Sequence, residues 1–201
     1  MGRPRRYDRE TLVGHARALW VEHGITGVTI RALSAASGAS NGAVYHAFGS
    51  RDGLLARVWA READGFLSFQ RHAVTDAMAD GTAVDGLVAA ALAPAGYAET
   101  NADGARLLLS VTADDLMTAE LTDDGHAQLR QRQKELGQLL VELAAALWQR
   151  RDAAAVTTVR YCVVDLPGTL LLRSQQLTDP LARHALERAV RGIAAEPPPS
   201  V

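Results

Sequence analysis

Residues 38–42 form the only short motif in this sequence that is typical of nucleophilic catalysis. They read Gly-Ala-Ser-Asn-Gly, which matches the G-x-S-x-G turn that presents the catalytic serine of α/β-hydrolases. That turn needs a strand before it and a helix after it. Here the preceding residues have the pattern of a helix with a polar face, so the sequence disfavours a hydrolase.

Metal and redox chemistry have little support in the sequence. Six histidines are scattered without an H-x-x-x-H pair or a neighbouring cysteine, so a structural zinc site is not expected. Cys162 is the single cysteine and lies in a valine-rich predicted helix, where a buried and inert thiol is expected. One cysteine makes no internal disulfide, which favours a cytoplasmic location. We predict no catalytic residue, metal or cofactor.

Residues 28–55 carry side chains of the kind that bind DNA. Ser40 is placed to cap a helix over 41–48, and a capped helix start attracts phosphate. Tyr45 follows the inward-facing Val44 and therefore points outward. Its ring can pack on a sugar or a thymine methyl, and its hydroxyl can reach a phosphate.

The segment from Val28 to Leu55 resembles the signature of the TetR family of bacterial transcriptional regulators. The resemblance rests on a Gly-x-Ser turn followed by Val-Tyr-His-Ala-Phe-Gly-Ser-Arg-Asp-Gly-Leu-Leu. It implies a helix-turn-helix DNA-binding domain, with Arg31 at a position that often reads guanine or binds phosphate. Thr29 and Arg51 suit phosphate contacts, Gly42 suits close approach to the duplex, and Arg3, Arg5 and Arg6 suit a minor-groove arm. The candidate DNA-binding residues are Arg3, Arg5, Arg6, Thr29, Arg31, Ser40, Asn41, Gly42, Tyr45, His46 and Arg51.

Each candidate has a plainer interpretation. Tyr45 could be a half-exposed aromatic side chain, and Arg31 and Arg51 could be solvated charges. The arginine arm could lack a role, and His46 could face the groove or only shield the helix. The sequence also departs from the family pattern, with Asn41 in place of a basic residue, Ala43 in place of Thr or Ser, and Ala47 in place of His or Tyr. Asn41 can still reach an adenine edge.

The charge distribution favours one DNA-binding end. Residues 1–60 hold eight arginines and four acidic residues, a net charge of +4, although the whole chain has −2. The remainder holds 13 basic and 19 acidic residues, a net charge of −6. Such asymmetry suggests a nucleic-acid face on one end only.

The elements that position these residues are predicted to be helices throughout. Hydrophobic residues make up 48% of the 201-residue chain and are mainly Ala, Leu and Val, which favours an all-α fold over a disordered chain. No strand pattern, repeat, signal peptide or membrane-spanning run is expected. Helices are predicted at about 9–23, 30–37, 41–48, 51–80, 84–93, 103–117, 122–151, 153–177 and 180–196. Asp8, Thr29, Ser40, Ser50 and Asp152 are the expected caps, and Pro167-Gly168 should kink its helix.

Three regions follow from this pattern. We expect a helix-turn-helix domain over 1–55, a helical effector-binding and dimerisation domain over 56–196, and a disordered tail over 197–201. The expected dimer interface comprises Val156, Val159, Val163, Leu166, Leu170, Leu177, Leu186, Val190 and Ile193, which recur at steps of three and four or lie on the last helix. The alternative is that this face packs within its own subunit.

The middle helices are expected to enclose an effector pocket. Its candidate lining residues are Phe66, Phe69, Leu87, Tyr97, Leu108, Met117 and Trp148, each of which could instead be ordinary core. The sequence thus predicts a homodimeric regulator, by the resemblance a repressor, released from double-stranded operator DNA by an apolar or amphipathic small molecule. The alternative is an effector-free regulator controlled by a protein partner, and a filled core without a cavity would favour it. No group of residues in the sequence supports an α-helical enzyme.

Overall fold

The computed structural model describes residues 8–173 and 176–199, and within these ranges the chain is helical without a β-strand. The predicted all-α class is confirmed. The elements are α1 (Arg9–Gly27), α2 (Ile30–Ser37), α3 (Asn41–Phe48), α4 (Arg51–Asp80), α5 (Ala83–Thr100), α6 (Ala102–Ser110), α7 (Ala113–Leu116), α8 (Asp123–Trp148), α9 (Ala153–Arg160), two π-helical segments (Tyr161–Asp165 and Gly168–Arg173) and α10 (Pro180–Ala194).

The short helices α2 and α3 have the predicted bounds because their caps form. The Thr29 hydroxyl accepts from the Ala32 amide at 3.0 Å, and the Ser40 hydroxyl accepts from the Ala43 amide at 3.2 Å. Gly38 ends α2 with φ of +73°, a conformation that costs glycine little. Ser50 likewise accepts from the Gly53 amide at the start of α4. Asp8 takes the cap position of α1, although its carboxylate accepts from the Thr11 hydroxyl rather than from a backbone amide.

Helix α5 is longer than predicted because it continues through Pro94. A proline inside a helix removes one N–H, so the carbonyl four residues earlier loses its donor. That carbonyl belongs to Ala90, and the buried Gln70 side chain donates its Nε2 to it at 2.9 Å. The predicted end near Ala93 was wrong, since a side chain from α4 supplies the missing donor.

Two other expectations about the helices are corrected. The single helix expected over 103–117 is divided into α6 and α7, because Thr112 and Asp115 form a capping box that starts a new helix. The helix expected over 153–177 runs as α9 and then two π-helical segments on either side of Pro167, rather than as an α-helix with a kink. Residues 197–199 of the expected disordered tail are described, and the Pro198 carbonyl accepts from Arg150.

The chain forms two compact units that differ from the expected division after residue 55. The first comprises 1–63 and 106–132, and the second comprises 64–105 and 133–201. Residues from α6, α7, the turn after α7 and α8 belong to the first unit because their apolar side chains complete its core. Leu107, Leu116, Leu121 and Leu129 pack with Leu12, Val13, Trp20, Leu33, Val44, Phe48, Leu54 and Val58. The second unit has its own core, formed chiefly by α5, α8, α9 and α10.

One stretch, Ala153–Leu172, is long and apolar enough to cross a membrane by length and composition alone. Within the second unit, its Val159, Cys162 and Leu171 side chains are fully buried in the core. Such a core helix passes the same test as a membrane span, so the stretch is weak evidence for one.

Candidate nucleic-acid interface

The exposed face of α3 is set by the side chains that α3 buries. Val44 and Phe48, one turn apart, pack into the core of the first unit. Tyr45 is therefore directed outward and is 53% exposed. Asn41, Gly42 and His46 are also accessible, so they share the outer surface of this short helix.

Gly42 leaves room for close approach of another molecule. A Cβ atom built on Gly42 would meet nothing nearer than the Ser40 hydroxyl, at 3.9 Å. The packing of the protein itself therefore does not require glycine here. A missing side chain at the first turn of an exposed helix lets its backbone amides come near an external group.

The second helix adds a cation to this region. Arg31 lies in the first turn of α2 and is exposed, and Thr29 is exposed immediately before that helix. The Thr29 hydroxyl already accepts the capping hydrogen bond, but its own proton can be donated to a phosphate. Arg31 can serve as a bidentate donor to guanine or to phosphate.

Asn41 is held by a neighbour in α2. The Ser34 hydroxyl donates to Asn41 Oδ1 at 2.6 Å, across the turn between the two helices. Sequence reasoning missed this contact, because seven residues separate the partners and the turn alone brings them together. It fixes one end of the Asn41 amide at the start of α3.

Arg51 has a structural role that the sequence did not predict. Its Nε donates to the Val28 carbonyl at 2.6 Å, and its Nη2 donates to the Ile25 carbonyl. Two of its donors thus bind carbonyls at the junction between α1 and α2. The predicted phosphate contact of Arg51 stays a prediction, while Arg3, Arg5 and Arg6 lie outside the described residues.

Ion pairs fix α1 against the first half of α4 in the first unit. Arg17 forms a bidentate pair with the buried Glu62 carboxylate, with Nε 2.8 Å from Oε1 and Nη2 3.2 Å from Oε2. Arg57 donates to Glu10 at 2.8 Å. These contacts hold the scaffold on which α2 and α3 are presented.

Two indole groups bind the C-terminal end of α6 to the same unit. Trp20 Nε1 donates to the Ser110 hydroxyl at 3.2 Å, and Trp59 Nε1 donates to the Val111 carbonyl at 3.1 Å. The Thr118 hydroxyl also donates to Asp52, 2.6 Å away. No short-range pattern in the sequence indicates these contacts, since each joins residues 50 or more positions apart.

The expected effector residues are divided between the two units. Phe66, Phe69 and Tyr97 lie together in the second unit, where the Tyr97 ring centroid is 5.5 Å from that of Phe66 and 5.6 Å from that of Phe69. Leu87 and Trp148 pack in or against the core of that unit. Leu108 and Met117 lie in the first unit, and Met117 packs against its core. These two residues are therefore not part of the aromatic cluster.

The second unit has an open groove between α4 and α8, with a volume of about 340 Å³. It is lined by Arg71, Val74, Thr75, Met78, Leu139, Glu142 and Leu143. An ion pair between Arg71 and Glu142, at 3.1 Å, lies on its rim. None of the expected effector residues lines this groove.

The residues expected at a dimer interface do not all face outward. Val159, Val163, Leu186 and Val190 are buried within their own subunit, because α9, its π-helical continuation and α10 pack against α5 and α8. Val156, Leu166, Leu170 and Leu177 are half-buried, and Ile193 is exposed. These four side chains pack within their own subunit, and the interface itself stays a prediction.

Two helices joined by a three-residue turn, with an exposed polar and aromatic face on the second, define a helix-turn-helix DNA-binding domain. Residues 12–58 match the family model for bacterial regulatory proteins of the tetR family. A stretch of 48 residues is 42% identical to the HTH-type transcriptional repressor AcnR of Corynebacterium glutamicum. That match covers 24% of this chain and 26% of AcnR, so it spans about a quarter of each protein.

Solved structures extend the likeness of fold to most of the chain. The TetR family regulator PfmR from Thermus thermophilus aligns over 91% of this chain and 96% of its own, with a TM-score of 0.62 and 17% identity. FadR from Bacillus subtilis, in complex with stearoyl-CoA, aligns over 94% and 98%, with a TM-score of 0.62 and 14% identity. The expected resemblance to the TetR family is thus confirmed over residues 12–58, and the solved structures show a similar fold over most of the chain.

Proposed function

We propose that this protein is a transcriptional repressor that binds operator DNA through α2 and α3 and is released by a small apolar or amphipathic molecule. The observation that carries DNA binding is the outer face of α3, where exposed Tyr45, Asn41 and His46 surround the open position at Gly42. The protein would read base edges in the major groove and bind the flanking phosphates, acting in the cytoplasm.

The test of DNA binding is selection from randomised duplexes with the full-length protein. The proposal predicts one enriched sequence with two related half-sites, one for each subunit of a dimer. A set of enriched duplexes without a common sequence would contradict it. Since the match to AcnR covers only a quarter of that protein, its operator cannot be transferred to this chain.

The proposal includes an effector site in the second unit. Phe66, Phe69 and Tyr97 provide an aromatic cluster, and FadR, of similar fold, binds stearoyl-CoA. The second half of helix α4 carries Phe66 and Phe69, whereas its first half belongs to the first unit, which contains α2 and α3. A ligand that displaces the aromatic side chains would thus act on a helix that both units share.

Reciprocity provides the test of this coupling. A ligand that weakens DNA binding must itself be bound more weakly in the presence of DNA, by a coupling of typically about 1–3 kcal/mol. Candidate ligands are apolar carboxylic acids and their CoA thioesters, titrated with and without the selected operator. A compound with equal affinity in both titrations is not an effector.

A second candidate function is an effector-free regulator that binds a protein partner. The observation that favours it is that the Tyr97 ring packs against both Phe66 and Phe69, so these side chains already have partners within the protein. Under this alternative, no small molecule would change operator affinity. A protein that binds the second unit would change it instead. The ligand titrations distinguish the two functions.

We also propose a homodimer through α9, its π-helical continuation and α10. Tyr161 is 49% exposed and Leu181 is 74% exposed, and large apolar side chains on a surface often mark an interface with a partner. Val156, Leu166, Leu170, Leu177 and Ile193 remain candidates from the predicted interface.

A further inference from the structure

We propose that Ser34 fixes the orientation of the Asn41 amide, so that Asn41 selects guanine rather than adenine in the operator. The inference rests on the proposed DNA-binding function and specifies one base preference within it. An unrestrained asparagine most often pairs with adenine, because its oxygen accepts from N6 while its nitrogen donates to N7. The contact with Ser34 changes that expectation.

The geometry assigns the oxygen of the amide to the protein side. Ser34 lies in the second half of α2, and its hydroxyl donates to Asn41 Oδ1 at 2.6 Å. Asn41 is exposed at the first position of α3. With Oδ1 held toward α2, the Nδ2 group is the end of the amide that remains for an outside partner.

The field at the start of α3 supports the same orientation. The first amides of a helix carry partial positive charge, which attracts an oxygen and repels the hydrogens of an NH₂ group. Ser40 accepts from the Ala43 amide, and the amides of Asn41 and Gly42 precede the first backbone bond of the helix, from the Val44 amide to the Ser40 carbonyl. Turning Nδ2 toward Ser34 would make this contact an N–H···O bond, and its 2.6 Å is shorter than the roughly 2.7–3.2 Å of such bonds but usual for the O–H···O bond that Ser34 donates.

An NH₂ group that faces the major groove discriminates between the two purines. Guanine presents two acceptors there, N7 and O6, whereas adenine presents one acceptor, N7, beside the N6 donor. A fixed NH₂ group can donate to both guanine atoms but meets a like donor on adenine. Guanine is therefore favoured at the base pair that Asn41 contacts.

The experiment uses the full-length protein and an operator selected from randomised duplexes. Asn41→Ala first identifies the base pair that Asn41 reads, as the position where sequence preference is lost. Duplexes with guanine, adenine and 7-deazaguanine at that position are then titrated against wild type, Ser34→Ala and the matched control Ser34→Thr. The analogue lacks the N7 acceptor, and the control keeps the hydroxyl.

The wild type should bind the guanine duplex about tenfold more tightly than the adenine duplex, within the range known for base contacts. The 7-deazaguanine duplex should lose most of that advantage. Ser34→Ala frees the amide to rotate, so the two purine duplexes should fall within about twofold of each other, whereas Ser34→Thr should keep the wild-type ratio. Equal thermal midpoints for the three proteins would exclude loss of folding as the cause.

Four outcomes overturn the inference. A preference for adenine in the wild type would show that Oδ1 faces the DNA, and an unchanged purine ratio in Ser34→Ala would show that Ser34 does not orient the amide. Uniformly weaker binding of Asn41→Ala to every sequence would indicate a phosphate contact. If selection enriches no sequence, the proposed function fails as well, whereas the other three results leave it intact.

Discussion

Gln70 replaces the backbone donor that Pro94 removes from α5. Its Nε2 donates to the Ala90 carbonyl at 2.9 Å, and Ala90 stands four residues before Pro94, where a helical N–H would otherwise bond. Gln70 is only 1% exposed, so water does not compete for this carbonyl. The pair explains how α5 continues through a residue that usually ends a helix.

The free energy of unfolding should therefore depend jointly on Gln70 and Pro94. Gln70→Met should lower it by about 1–3 kcal/mol, the usual cost of leaving a buried polar group without a partner. In a Pro94→Ala background the new backbone N–H takes over, so the same substitution should have little effect. Urea unfolding of all four proteins measures the coupling, and additive effects would contradict it.

Arg51 should affect the stability of the first unit more than its DNA contacts. Arg51→Ala removes donors from the Val28 and Ile25 carbonyls, and hydrogen bonds from a charged group are worth about 1.5–3 kcal/mol. Arg31→Ala is the matched control, since Arg31 is exposed and should leave the unfolding midpoint unchanged. An unaltered midpoint in Arg51→Ala, together with weaker binding to all DNA sequences, would support the phosphate role.

Acid should weaken the second unit partly through Asp85. Hydrogen bonds from the Thr82 hydroxyl and amide, with further help from Arg191, lower the pKa of Asp85 from 3.8 to about 2. Because the pKa is lower in the folded state, this stabilisation is complete above about pH 4 and is lost as the pH falls toward about 2. Asp85→Asn should therefore flatten the decline of unfolding free energy across that range. Asp76→Asn is an exposed control on α4, and equal slopes in the two variants would be evidence against the assignment.

The proposed dimer should depend on exposed residues rather than on the buried Val159, Val163, Leu186 and Val190. Tyr161→Arg and Leu181→Arg place a charge on the proposed interface and should yield monomers at micromolar concentration by light scattering. Met78→Arg is the control, because Met78 is an exposed apolar residue on α4. If both arginine variants keep the mass of the wild type, these residues do not form the dimer interface. Val163→Glu would instead disturb the core of a single subunit.

Local signals in the sequence predicted α2 and α3 well. Thr29, Gly38 and Ser40 each act within four residues of their own position, so caps and turns could be derived from spacing. Contacts between distant residues could not be derived from spacing. Gln70 on α4 donates to a carbonyl of α5, and Arg51 donates to the Val28 carbonyl. Trp59 donates to the Val111 carbonyl at the end of α6.

The predicted dimer interface on α9 and α10 illustrates a second limit of sequence reasoning. A spacing of three and four predicts that one face of a helix is buried, but it does not say whether the partner is the same chain or another. Val159 and Val190 proved to face their own core. The outer apolar residues, such as Leu181, were not part of the repeat and were missed.

DNA recognition by α2 and α3 is tested by measuring the affinity of the protein for the selected operator and for a scrambled duplex of equal length, by fluorescence anisotropy at fixed salt. The wild type should bind the operator at least about 10³-fold more tightly, as specific DNA-binding proteins do. Tyr45→Ala and Arg31→Ala should each lose about 1–3 kcal/mol of that preference while keeping the wild-type unfolding midpoint. Equal affinity of the wild type for both duplexes, or unchanged operator affinity in both variants, would contradict the claim that α2 and α3 read DNA.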